Sequence, residues 1–102
     1  MKKIKVFISQ PMKDRTNEEI EAERAEVKKK LDEKFGEDNY EIIDSFFKDA
    51  PHDANPLWFL GKSLQLLSQA DVCVFTNQWY VGRGCVMEHR ACEEYKIKIW
   101  EI

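Results

Sequence analysis

Four short runs rich in β-branched and aromatic residues, at 3–8, 40–43, 72–75 and 97–100, alternate without a break with three stretches whose apolar residues recur at helical spacing. This alternation restricts the fold more than any other feature of the chain. The intervening segments are long enough to cross a sheet from end to end, so successive strands must run parallel. A parallel sheet, in turn, needs helices on both of its faces.

Local signals place the boundaries. The first strand breaks at Ser9-Gln10-Pro11-Met12, and Thr16 with Glu19 forms a capping box that opens the first helix. Ile20, Val27, Leu31 and Phe35 fall on one side of that helix, and the remainder is a charged, solvated face. Gly36 and Asn39 mark its exit. Asn55-Pro56 starts the second helix, with proline at its first position, and Leu57, Leu60, Leu64 and Leu67 trace a stripe expected to pack in the core. The third helix is predicted from about Gly84 to Tyr95. With right-handed crossovers and one reversal of winding, the predicted fold is α/β: a three-layer α/β/α arrangement around a flavodoxin-like four-stranded parallel sheet in the order 2-1-3-4. At 102 residues the chain makes one domain, 1–102.

Composition narrows the class of partner. A net charge of -3 argues against a surface for a nucleic-acid polymer, although local basic residues can still hold one or two phosphates. No apolar run approaches the roughly 20 residues needed to span a bilayer, and the amino terminus lacks the apolar core of a signal peptide, so a cytoplasmic protein without membrane contact is expected. Three cysteines at irregular spacing do not form a disulfide framework. Cys85, His89 and Cys92 share one helix face, but three ligands on one helix rarely close a tetrahedron, so no metal and no other cofactor is expected.

In open parallel sheets ligands bind beyond the carboxyl ends of the strands, where the winding reverses. Two loops meet there, one from Ser9 to Arg15 and one from Thr76 to Arg83, with Glu88 behind the second. Gly82 and Gly84, at a strand-to-helix turn, are expected to allow positive φ and close approach of a ligand. Glu88 then lies about one turn inside the new helix, where the dipole holds a carboxylate ionised and aimed out of the turn. It reads either as a nucleophile or hydroxyl acceptor, or as an ordinary first-turn acid. Ser9 and the turn after it are placed to bind a phosphate or a sugar hydroxyl. Lys13, Arg15 and Arg83 are either anion ligands or solvated loop charges. Trp79 and Tyr80 offer faces for a planar base, while Trp79 serves equally as a lid on the core. Phe46 and Phe47 either cover a ligand or plug the core.

Three pieces of the chain, Phe7-Ile8-Ser9-Gln10-Pro11-Met12, Ala70-Asp71-Val72-Cys73-Val74-Phe75, and Trp79 with Arg83-Gly84-Cys85-Val86-Met87-Glu88-His89, together resemble the nucleoside 2-deoxyribosyltransferase superfamily. The likeness is nearest to its small branch and more distant to the deoxynucleoside monophosphate N-glycosidases of the same fold. The resemblance implies cleavage or transfer at an N-glycosidic bond of a nucleoside or nucleotide. Glu88 would attack the anomeric carbon, and a glycosyl-enzyme ester would be resolved with retention. It further implies that Ser9, Gln10, Pro11, Met12 and Arg15 hold the sugar end, and that Trp79, Tyr80, Gly82, Arg83 and Gly84 lie near the base. Two acids of the family pattern are replaced: Ser63 stands upstream of the third strand, and Val81-Gly82-Arg83 precedes the nucleophile. Asp44, at the end of the second strand, is the substitute candidate for the leaving-group acid, with Asp71 a weaker one.

A second reading keeps the fold and makes the protein a binding module for a nucleotide or nucleoside derivative. A third is a plain interaction domain. A four-stranded sheet with Trp100 near the chain end also suggests a homodimer or larger homo-oligomer.

Overall fold

Both faces of the central strands are apolar, and each face has gathered its own helices. The computed structural model describes residues 2–45, 47 and 50–102. Strands β1 (Ile4–Ser9), β2 (Tyr40–Ile42), β3 (Val72–Phe75) and β4 (Lys98–Glu101) form one parallel sheet in the order β2-β1-β3-β4. Helices α1 (Asn17–Phe35), α2 (Pro56–Leu67) and α3 (Arg83–Tyr95) make the connections. Register sets Val6 beside Val72 and Ser9 beside Phe75, so β1 and β3 end together at the carboxyl rim.

The alternation of side chains along a strand divides the core in two. Val6, Ile8, Val72 and Val74 face Val27 and Leu31 of α1. Phe7, Cys73 and Phe75 face the other way, against Leu67 of α2 and Cys92 of α3. One helix therefore covers one face and two cover the other, as right-handed crossovers to opposite edges require. The fold class and strand order are those the alternation predicts.

The helix ends follow their local chemistry. Thr16 Oγ1 accepts the Glu19 amide at 3.1 Å, and Glu19 Oε1 accepts the Thr16 amide at 3.0 Å, which completes the capping box. Asn55 Oδ1 accepts the Trp58 amide at 2.9 Å to cap α2. Gly36 ends α1 at φ 92°, a conformation that a side chain there would strain.

Three expectations change. Leu57, placed in the core by its spacing, is 75% exposed. The 12 residues of α2 measure about 18 Å while four-residue β3 spans about 13 Å, so the first turn of the helix overruns the sheet and leaves Leu57 facing solvent. Trp100 finds cover within its own chain, edge-on to Phe35 at 6.3 Å and under Lys34 Nζ at 4.7 Å, which removes the reason it offered for a partner subunit. The loop after β3 contains a single 3-10 turn, Trp79–Val81. The left-handed residue of that connection is Gln78, at φ 60°, and neither Gly82 nor Gly84 has positive φ. Phe46 lies outside the described residues, and Phe47 packs against Trp58 and Phe59. Among the described residues no helix is long and apolar enough to cross a membrane.

Burial separates two leucines that sequence spacing treats alike. Leu31→Ala, in the closed core, is expected to cost about 2–5 kcal/mol, and Leu57→Ala no more than about 0.5 kcal/mol. Urea midpoints of the two variants test the distinction.

Candidate active site

Glu88 is the sixth residue of α3, a turn and a half from the helix start, and only 6% exposed. Helix packing alone carries it there, because Cys85 and Cys92, at offsets of three and four, are the buried residues on either side of it. From that position its carboxylate meets the end of β1, and Ser9 Oγ donates to Glu88 Oε1 at 2.6 Å. Ser63, on α2, and the charge of Arg24, on α1, also act on the same carboxylate, both favouring its ionised form. Three helices and a strand thus converge on one acid.

The electrostatics of Glu88 differ from the expectation of a dipole-stabilised anion. Too deep in α3 for the free N–H groups of the first turn, it is governed instead by desolvation. Burial raises its pKa, opposed by the hydrogen bonds from Ser9 and Ser63 and by the attraction of Arg24.

Arg24 belongs to a second layer that spacing alone overlooks. It lies four residues after Ile20 and three before Val27, on the apolar stripe of α1, and a cation on such a stripe was the available signal. Its Nε donates to Gln10 Oε1 and its Nη2 to Ser45 Oγ at 2.9 Å. Gln10, 5% exposed, passes the link on through Nε2 to Glu23 Oε1 at 2.7 Å. Burial lowers the pKa of Arg24, while the attraction of Asp44, Glu23 and Glu88 works the other way. Asp44 stands exposed at the end of β2 and faces this guanidinium.

The remaining sequence candidates divide between structural and accessible roles. Arg15 Nη1 donates to the Pro11 carbonyl and to Glu23 Oε1, both at 2.8 Å, so it clasps the loop onto α1. A Cβ on Gly82 would meet Cys85 Sγ at 3.3 Å and Pro11 Cβ at 3.4 Å. A side chain there would touch Pro11 and crowd Cys85, so glycine eases the contact between the two loops, with φ -95° that any residue adopts. Pro11 and Met12 are half-buried on that loop, whereas Lys13 and Arg83 are exposed. Gly84 has open space where a side chain would be.

Trp79 stacks on His89 with ring centroids 4.1 Å apart and planes 3° from parallel, and it also packs on Phe75. Its indole N–H donates to Glu101 Oε1 at 3.4 Å, and His89 Nε2 lies 3.1 Å from Glu101 Oε2. This is the lid on the core, one of the two readings of Trp79. Tyr80, edge-on to Trp79 and 63% exposed, faces solvent.

Two chemistries are disfavoured by the surroundings. Burial pushes the Cys85 thiol up to about 11, away from the thiolate a cysteine nucleophile needs. Among the described residues no group of three or more His, Cys, Asp or Glu side chains is placed to hold a metal ion. On the opposite face of the rim, a groove of about 220 Å³ runs between Val27 of α1 and Thr76, whose buried hydroxyl has no protein partner.

The raised pKa of Glu88 sets a sign for stability. The native protein holds this proton more tightly than the unfolded chain, so the contribution favours folding below the ordinary glutamate range, near 4.5, and is lost as pH rises through the raised folded value. Glu88→Gln is therefore expected to raise the thermal midpoint over wild type at pH 8, with the gain shrinking toward pH 4. Melting curves at both pH values check it.

Compared with protein-family models, with curated proteins and with solved structures, the chain matches none of them.

Proposed function

We propose that the protein cleaves or transfers at the N-glycosidic bond of a nucleoside or nucleotide, with Glu88 as nucleophile. The observation that carries this reading is a lone carboxylate, nearly closed from solvent at the carboxyl rim of a parallel sheet, beside the point where the winding reverses. An oxocarbenium-like transition state carries positive charge at the anomeric carbon, and a desolvated carboxylate stabilises such charge strongly. Attack by Glu88 on that carbon forms an ester, and water then releases the sugar with net retention.

The hydrogen bond from Ser9 aims the carboxylate, and the Gln10–Arg24–Ser45 links hold the loops beyond β1 and β2 around it. Access to so buried an acid requires the side chains above it to move aside for the substrate. No cofactor enters this chemistry. The sequence resemblance to nucleoside 2-deoxyribosyltransferases supports the same assignment of Glu88.

A binding module is the second reading. It is favoured by the hydrogen bond that Glu88 accepts from Ser9 and by the hold of Ser63 and Arg24 on the same carboxylate, which give it a binding role without chemistry. Deoxynucleosides and deoxynucleotides incubated with the protein are expected to yield free base, and Glu88→Gln to lower the rate by about a thousandfold or more. Ligand binding with no base released by wild type would favour the binding module.

We also propose that the protein works as a homo-oligomer in the cytoplasm. Leu57, Tyr80, Val81, Val86 and Met87 are exposed, and all lie in the first turns of α2 and α3 or in the turn before α3, at the same end of the sheet as Glu88. An apolar rim of this kind suits a second copy of the chain. Light scattering is expected to give at least a dimer that Leu57→Glu with Met87→Glu dissociates. A wild-type monomer would remove the idea.

A further inference from the structure

The groups around Glu88 bear on which base can leave. Departure of a neutral purine or pyrimidine puts negative charge on the ring nitrogen, so an enzyme that cleaves such a bond supplies a proton there. Among the described residues, the groups that act on Glu88 are the hydroxyls of Ser9 and Ser63 and the guanidinium of Arg24. A serine hydroxyl is too weak an acid for that task, and a guanidinium does not give up its proton in proteins. Asp44 lies exposed, its charge acting on the Arg24 guanidinium, and it is not among the groups that act on Glu88. His89, next in sequence, is turned away, stacked on Trp79 and beside Glu101.

A base that already carries positive charge needs no proton. We propose that this site acts on N-glycosides whose leaving base is a cation, such as a pyridinium or an N-alkylated purine, an inference that rests on the assignment of Glu88 as nucleophile. The Glu88 carboxylate forms a bond to the anomeric carbon as the carbon–nitrogen bond breaks. That electron pair passes to the ring and cancels its charge, and the base departs neutral. Water then cleaves the ester, leaving a hydroxyl on the sugar, a carboxylate on Glu88 and one proton in solvent.

The surroundings suit a cationic ring before the bond breaks as well. Tyr80 presents an exposed aromatic face at the rim, which attracts a cation more than a neutral base. The chain as a whole is acidic, with net charge -3.

A matched pair isolates the charge. Guanosine and 7-methylguanosine, and their 2′-deoxy counterparts, share sugar and ring system and differ in the positive charge that N7 methylation confers. With each rate divided by its uncatalysed rate, the methylated member is expected to be favoured by about a hundredfold or more, the low end of what a general acid contributes. Ser63→Asp sets a carboxyl beside Glu88, where the like charge keeps it protonated. It is expected to raise guanosine turnover and narrow the ratio by about tenfold or more.

Equal corrected rates, or a preference for guanosine, that still depend on Glu88 would overturn the charge requirement and leave N-glycoside cleavage standing. Release of base from neither member of either pair, nor from nicotinamide riboside, would overturn the charge requirement. If deoxynucleotides also gave none, the nucleophile assignment would fall with it.

Discussion

A 2.6 Å hydrogen bond between Ser9 and Glu88 ties the end of the first strand to the last helix across nearly the whole chain. Everything distinctive about the site depends on it. Ser9 is the last residue of β1, paired with Phe75 in the neighbouring strand, so its hydroxyl is fixed by the sheet itself. Glu88 is fixed by the buried cysteines on either side of it in α3. The two rigid elements meet at one polar contact in apolar surroundings, where a hydrogen bond to an ionised group is worth most and an unmade one costs most.

The contact is also a source of strain. A carboxylate at 6% exposure loses most of its hydration, and the raised pKa records that loss. A protein selected for stability alone would place an apolar residue there. A carboxyl group kept at this depth, beside the Ser9 hydroxyl and within reach of the Arg24 charge, is held at the expense of stability.

Around this centre the polar layer is nested. Arg24 holds Gln10 and Ser45, Gln10 holds Glu23, and Glu23 holds Arg15. The ends of β1 and β2 and the start of α1 are thereby locked to one another, and the loops at the carboxyl rim are braced from within. The aromatic side of the rim is braced differently, by the stack of Trp79 on His89 above Phe75, which leaves Tyr80 to face outward. Side-chain contacts thus brace the loops on both sides of Glu88.

The amino-acid sequence by itself determined the order of elements, the parallel sheet with its winding, the capping of α1 and α2, and the position of Glu88 near the carboxyl rim. Each of these follows from periodicity or from contacts a few residues apart, which a linear reading captures. Only the tertiary structure decided that Leu57 overhangs the sheet, that Gly82 lies close against Pro11 and Cys85, that Arg15 and Trp79 are structural, and that Arg24 reaches the site. It also decided that Glu88 is governed by burial and not by the helix dipole. Those outcomes turn on which distant side chains desolvate one another, and solvation at a point in space is set by every segment that converges there.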